Sequence, residues 1–334
     1  MPRVSKAPAV RVTPAVRGGI DLGGTKIEAI VVGARNNVLG AARRPTPTEG
    51  RPADVAAELV RALTEACRAA ELEPSSLRGV GVGSPGDIDA ITGAVSSARN
   101  LPGWEGTFEL GAFLSSALRT AVFVGNDVQV ATEAEFMLGA GKPYQSLLGV
   151  FWGTGVGGGL ILAGKPWLGR GGAGEIGHTV VKLDGARCPC GRCGCLEAYA
   201  GRAAMELRAR RRVEHGRSTV LFKLMREHRR TRLTSAIWAH ALDQNDKLAT
   251  QIVDRAVDAL GAGIASAVNL LDVEAVVIGG GLGVRFGQPF VDRIAAQMHP
   301  HLFNDSRPPD VKVAALGDLG GAMGAALSVP GPRG

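Results

Sequence analysis

Apolar residues along this chain fall into two kinds of run. Short runs of about four to eight residues stop at glycine-rich turns and read as strands, while longer stretches repeat at helical spacing. Residues 18–33 (GGIDLGGTKIEAIVVG) predict a strand, a tight Gly/Thr turn and a second strand, with Asn36 and Asn37 turning the chain into a third at Val38. Residues 149–164 (GVFWGTGVGGGLILAG) repeat that plan, with a turn at Lys165 and Pro166 leading into Trp167 and Leu168. Two copies of one hairpin plan, one in each half of the chain, predict two related α/β domains. Between and after the copies the pattern predicts helices over 54–70, 128–138, 248–270, 289–298 and 320–327. Strands are expected over 77–83, 121–127, 273–283 and 311–316. Pro52 and Asp54 mark a helix start, Asp318 is placed to cap the last helix, and Cys67 lies on the apolar face of the first helix as a buried, inert thiol. Residues 1–17 are Pro- and Ala-rich without periodicity and read as a disordered tail.

Composition narrows the class. At 334 residues the chain suits two domains of ordinary size. Hydrophobic residues make up 45% and charged ones 21%, which fits a globular protein, and no apolar run reaches the ~18 residues of a membrane span. No secretory leader is evident, so a cytoplasmic location is expected. The net charge of +7 suits an anionic ligand such as a nucleotide. The basic runs between Arg202 and Arg232, including 208–212, have few aromatics among them and read as a solvated helix face rather than a nucleic-acid groove.

Chemistry concentrates where strands end. Gly23 and Gly24 permit a hairpin whose backbone N–H groups form an anion nest, Thr25 adds a hydroxyl, and Asp21 could hold a hydrated Mg2+; the plain alternative is a β-turn. The second Gly-rich turn is no P-loop, because no Gly-Lys-Ser/Thr follows and a strand, not a helix, comes next. Residues 96–104 (SSARNLPGW) form a small polar stretch that reads as a binding loop, with Asn100 able to donate to and accept from sugar hydroxyls. Asp127 closes an apolar strand at a helix start, suited either to general base work or to an N-cap.

Residues 174–197 (GEIGHTVVKLDGARCPCGRCGCLE) hold four of the five cysteines. Thiolates this close repel and oxidise unless a soft cation holds them. His178, Cys188, Cys190 and Cys195 form a candidate Cys3His zinc site, with Cys193 left over and able to replace one of the three. A disulfide cluster or redox-active thiols are the alternatives, the first calling for a secreted context. With all four positions filled by protein, the Zn2+ would be structural and would hold the loop between Glu175 and Glu197.

These motifs, in this order and spacing, resemble the ROK family (repressors, open reading frames and sugar kinases) over about residues 18–328: Asp21 to Thr25, Asn126-Asp127, Gly153 to Gly157, Glu175-Ile-Gly-His178, the cysteine run ending at Glu197, and Gly279 to Gly281. Within the family the likeness is to bacterial glucokinases. The resemblance implies an α/β actin-like ATPase (ribonuclease H-like) fold of two domains around a cleft: a small one of 18–125 with the helix 318–328, and a large one of 126–317 carrying the zinc-stapled loop 178–195. It implies ATP-dependent phosphorylation of glucose at the 6-hydroxyl, with Asp127 as the base and Asn100, Asn126, Asp127, Glu175, His178 and Glu197 binding sugar. In the family the histidine both ligates zinc and contacts sugar. Asp21, Gly23, Gly24, Thr25 and Lys26, with Gly153, Thr154, Gly155 and Gly157, would hold the phosphates and Mg2+; Gly279, Gly280 and Gly281 would hold the adenosine. Another hexose or N-acetylhexosamine (N-acetylmannosamine, N-acetylglucosamine, fructose) would use the same residues. A polyphosphate donor ranks lower. A sugar-responsive regulator would carry a DNA-binding module of about 60 residues ahead of the first glycine turn, and only 20 residues precede Asp21. A homodimer or homotetramer is the family's habit, with no nucleic-acid or membrane partner implied.

Overall fold

The computed structural model describes residues 16–98 and 101–331. The chain divides into two compact units: one runs to Gly125 and takes up the chain again from Ala325, and the other is Asn126–Gly324.

The first unit opens with β1 (Arg17–Leu22), β2 (Lys26–Val32) and β3 (Val38–Pro45), an antiparallel meander, followed by helix α1 (Pro52–Ala69). Strand β4 (Val80–Ser84) then pairs parallel to β1. A two-stranded ribbon of β5 (Asp87–Ile88) and β6 (Val95–Ser96), helix α2 (Leu110–Leu118) and strand β7 (Val122–Asn126) complete it, with sheet order β3-β2-β1-β4-β7. Side chains alternate across a pleated strand, so Ile20 and Leu22 join Ile27, Val31, Val80 and Val82 on the face that packs against Val55, Leu59, Leu63 and Cys67 of α1. Ile30 and Val32, on the opposite face of β2, are also fully buried. That two-sided cover explains why β2 reads as a continuous apolar run. Each such side chain contributes about 1.5–3 kcal/mol. Pro52 at the first turn of α1 costs no hydrogen bond there, and Arg51 N–H donates to Asp54 Oδ2 at 2.8 Å. Cys67 is wholly buried, and burial lifts its thiol to about 11.

The second unit begins with helix α3 (Asp127–Leu138), then β8 (Leu147–Trp152), β9 (Val156–Leu162) and β10 (Lys165–Pro166). Helices α4 (Glu197–Ala200), α5 (Arg202–Glu214), α6 (Leu221–Glu227), α7 (Ser235–Asp243) and the 25-residue α8 (Lys247–Leu271) follow. Strand β11 (Ala275–Gly279), helix α9 (Gly280–Met298), strand β12 (Asp310–Val313) and helix α10 (Gly320–Leu327) end the chain. Its sheet order, β10-β9-β8-β11-β12, repeats the first unit's plan, antiparallel hairpins on one side and parallel strands on the other. Both faces are covered. Val276 and Ile278 of β11 join the large core that includes Ile252, Val253, Leu260 and Ile294 from α8 and α9, while Ala275 and Val277 pack with Phe136 of α3.

Four local expectations need correction. The turn after β9 is Ala163–Gly164, both at positive φ (50° and 73°), a two-residue hairpin turn of the kind that matches strand twist. Lys165 and Pro166 are therefore the short strand itself, cut off because proline has no N–H to extend the ladder. The strand expected over 273–283 stops at Gly279. Gly280, at φ +78°, turns the chain straight into α9, and an added Cβ there would lie 2.6 Å from Trp152 O. The helix expected to begin at Pro289 is the second part of α9, which kinks at Gly287 (φ 67°, ψ −162°) just ahead of the proline. Trp104, expected in a polar binding loop, is core: it is 2% exposed, its Nε1–H donates to Val95 O at 3.0 Å, and its ring meets Phe108 edge-on. Asp318 lies in a short 3-10 turn, Gly317–Leu319, that leads into α10. Among the described residues no helix is long and apolar enough to cross a membrane.

Candidate active site and metal centre

In the first unit the turn between β1 and β2 closes by Gly23 N–H to Lys26 O at 3.0 Å, and Thr46 clasps it from the side, Oγ1–H to Gly23 O at 2.6 Å. Thr25 is exposed at the tip, and Asp21 is half-buried near the end of β1. Lys26 Nζ lies 3.2 Å from the buried Glu28 carboxylate, which also takes Arg43 at 2.7 Å. Asn100 lies outside the described residues.

In the second unit the remaining candidates come together. The N-cap of α3 is Asn126, not Asp127: Asn126 Oδ1 accepts from Val128 N and Gln129 N, both at 3.1 Å. This satisfies two of the helix's orphan amides and leaves Asp127 as the first helical residue, its Oδ1 accepting Val128 N at 2.9 Å. Asp127 keeps a partial surface, but its carboxylate is enclosed. Burial raises it from 3.8 to about 6, opposed by the Val128 N–H and reinforced by the negative charge of Glu175.

Glu175 precedes the 3-10 turn Ile176–His178, which places its carboxylate 3.9 Å from His178 Nε2. The other ring nitrogen, Nδ1, lies 3.9 Å from Cys188 Sγ. His178 therefore faces a carboxylate with one edge and the thiol cluster with the other. The donor atoms of His178, Cys188, Cys190 and Cys195 all lie within 4.8 Å of one another, and Cys190 and Cys195 sulfurs are 3.7 Å apart. A tetrahedral zinc with Zn–S near 2.3 Å sets its sulfurs about 3.8 Å apart, so the donor set fits the metal in both chemistry and spacing. A disulfide needs about 2.05 Å, and all five cysteines are free. Burial pushes the Cys188 and Cys195 thiols up; a bound cation is what would make thiolates favourable here. Cys193 is exposed and stands outside the cluster. The loop is wound tightly enough to hold these positions. Val181 N donates to Gly194 O, Gly194 N to Ala186 O and Leu196 N to Thr179 O, each at 2.9 Å, and Ala186 N donates to the Tyr199 hydroxyl at 2.8 Å.

Glu197, on the far side of the loop, has two connections. Cys188 Sγ lies 3.8 Å from Oε1, and Oε2 accepts Val156 N at 3.0 Å. The metal loop is thereby joined to the second glycine turn. A Cβ at Gly155 would overlap Glu197 Oε2, so any larger residue there displaces that carboxylate. The same turn approaches the third glycine cluster: a Cβ on Gly153 would lie 4.0 Å from Gly281 N, both at the C-terminal ends of the paired parallel strands β8 and β11. Ligands of α/β sheets sit at such ends. Sequence reasoning missed Arg202. Its Nη2 donates to Thr154 Oγ1 at 2.7 Å and its Nη1 to Leu233 O at 2.8 Å. Its signal was its place at the head of a helix, obscured by the arginines that follow.

Comparison with known proteins identifies the family. A family profile described as ROK family matches residues 17–331. A glucokinase of Thermotoga maritima is 31% identical, covering 92% of this chain and 95% of the relative. An N-acetylgalactosamine kinase of Shewanella sp. strain ANA-3 is also 31% identical, over 92% of this chain and 95% of its own. The crystal structure of a ROK family glucokinase from Streptomyces griseus, in complex with glucose and AMPPNP, superposes with a TM-score of 0.79 at 30% identity, covering 93% of this chain and 98% of that one. The fold is the actin-like ATPase (ribonuclease H-like) fold, and the chain belongs to the ROK family.

Proposed function

We propose that this protein is an ATP-dependent sugar kinase that phosphorylates the 6-hydroxyl of glucose. The observation that carries the reading is the Asp127 carboxylate, raised to about 6 on the first turn of α3 and electrostatically coupled to Glu175, whose neighbour His178 joins the thiol cluster that reaches Glu197. A base with that pKa is ionised at neutral pH yet basic enough to accept a hydroxyl proton as attack proceeds.

In the proposed reaction Asp127 takes the proton of the 6-hydroxyl as its oxygen forms a bond to the γ-phosphorus. The bond from that phosphorus to the β–γ bridging oxygen breaks, and its electron pair leaves on ADP. Such transfer asks mainly for alignment and charge neutralisation. Glu175, His178 and Glu197, with Asn126, would fix the sugar hydroxyls. Within the second unit the turn at 153–157 would hold the phosphates, and Gly279, Gly280 and Gly281 the adenosine. A Zn2+ held by His178, Cys188, Cys190 and Cys195 would supply a structural tie, and those residues would carry Glu175 and Glu197 with little slack.

The relatives' names support a second substrate reading, because an acetamido-sugar kinase is as similar as a glucokinase. Product analysis tests the position of transfer. With glucose and MgATP, a glucose-6-phosphate dehydrogenase coupled assay is expected to form NADPH in step with ADP. ADP release without NADPH would mean transfer elsewhere on the sugar, or ATP hydrolysis.

A further inference from the structure

Arg202 is bound to the second glycine turn at more points than capping a helix needs. Its own N–H donates to Gly153 O at 3.1 Å and the next, Ala203 N–H, to Thr154 O at 3.0 Å. Those are two of the orphan amides that open α5, so the turn already satisfies the helix start. The side chain adds a further bond from Nη2 to the Thr154 hydroxyl, while Nη1 is tied to Leu233 O. Leu233 is wholly buried, and its N–H donates to Glu206 Oε2 at 2.9 Å; Glu206, one turn along α5, is itself only 3% exposed. The guanidinium is thus fixed from behind by buried groups, whereas Thr154 is exposed.

A threonine hydroxyl has one proton to give and lone pairs to receive. With a cation donating to its oxygen, that proton is left for an outside acceptor, and polarisation by the cation strengthens it as a donor. Burial and the nearby Arg232 both penalise the Arg202 charge, with Glu206 opposing. An arriving anion would relieve that penalty. We propose that Arg202 is a positioning residue of the phosphate turn: it holds the Thr154 hydroxyl so that its proton is presented to a phosphate oxygen of the nucleotide donor. This rests on the reading of residues 153–157 as a phosphate site.

A double-mutant cycle between Arg202→Gln and Thr154→Val tests it. Each single substitution is expected to lower kcat/KM for MgATP by about 10- to 100-fold, the value of a charge-assisted hydrogen bond. The KM for sugar and the zinc content should stay at wild-type levels. The double variant should be no worse than the poorer single one, because both remove the same contact. Thr154→Ser should retain activity. Arg202→Lys, which keeps the charge but not the fork, should fall between wild type and Arg202→Gln. Losses that multiply in the double variant would overturn the proposal. So would unchanged ATP kinetics in Arg202→Gln, or an equal loss of sugar affinity and zinc, the mark of a purely structural staple. If the wild type turns over no sugar, the same cycle read by calorimetry of Mg·AMPPNP decides separately. Coupled losses of nucleotide affinity would sustain the role of Arg202, and a wild type that binds no nucleotide would overturn it.

Discussion

Asp127 is held at a cost to the fold. An aspartate raised from 3.8 to about 6 binds its proton more tightly in the folded chain than in the unfolded one. Its ionisation therefore removes stability progressively as pH rises from about 4 to about 6, and the loss is constant above that. Asp127→Asn should accordingly be more stable than wild type at pH 8, by on the order of 3 kcal/mol, with the gain vanishing below pH 4. Urea midpoints at the two pH values measure this. Asp127→Ala should lower kcat by about 100- to 10,000-fold while sugar still binds by calorimetry; near-normal turnover would remove Asp127 from the role of base. In the wild type, kcat/KM should fall about tenfold per pH unit below 6, as the base is protonated. Gly155 gives a second test at this scale. In Gly155→Ala the added Cβ displaces Glu197 Oε2 from Val156 N. Turnover should drop about 10- to 100-fold, the value of one hydrogen bond to a charged group, and steady-state kinetics beside a melting curve would separate this from unfolding.

Among the elements, the metal loop is anchored at its ends and open between them. Ile176 and Leu196 are buried in the large core, with Val181 and Ala186 packed against it, whereas Val180 and Leu183 are exposed, and the four clustered ligands would tie the stretch between. One zinc per chain is expected by metal analysis. Cys188→Ser, Cys190→Ser and Cys195→Ser should each lose it, and sugar-dependent turnover should fall about 10- to 100-fold or more. Cys193→Ser, outside the cluster, should change activity by less than about twofold. Loss of zinc in the Cys193 variant would place that thiol among the ligands. The cluster was legible in the sequence because its ligands fall within one short stretch of unusual composition. The kink in α9 and the Ala163–Gly164 turn were not. In the first, a glycine-rich stretch masks helical periodicity; in the second, alanine at positive φ gives no compositional sign.

At the scale of the whole molecule, the repeated hairpin plan around two Gly/Thr turns carried the fold class, and the two five-stranded sheets share one strand order. What periodicity cannot encode is which turns meet. Glu197 on Val156, Arg202 on Thr154 and Glu175 beside Asp127 each join segments some forty or more residues apart. Such contacts follow from tertiary packing, so the site's residue types could be read from the chain but not its connections. Substrate choice lies further still from the sequence, since a glucokinase and an acetamido-sugar kinase are equally similar to this chain.

The most direct test of the central claim is a coupled ADP-release assay with MgATP against a panel of hexoses and N-acetylhexosamines. Turnover on glucose well above every other sugar is the predicted result. A preference for an acetamido sugar would contradict the glucose assignment while leaving base and metal in place, and sugar binding without turnover on any sugar would contradict the kinase itself.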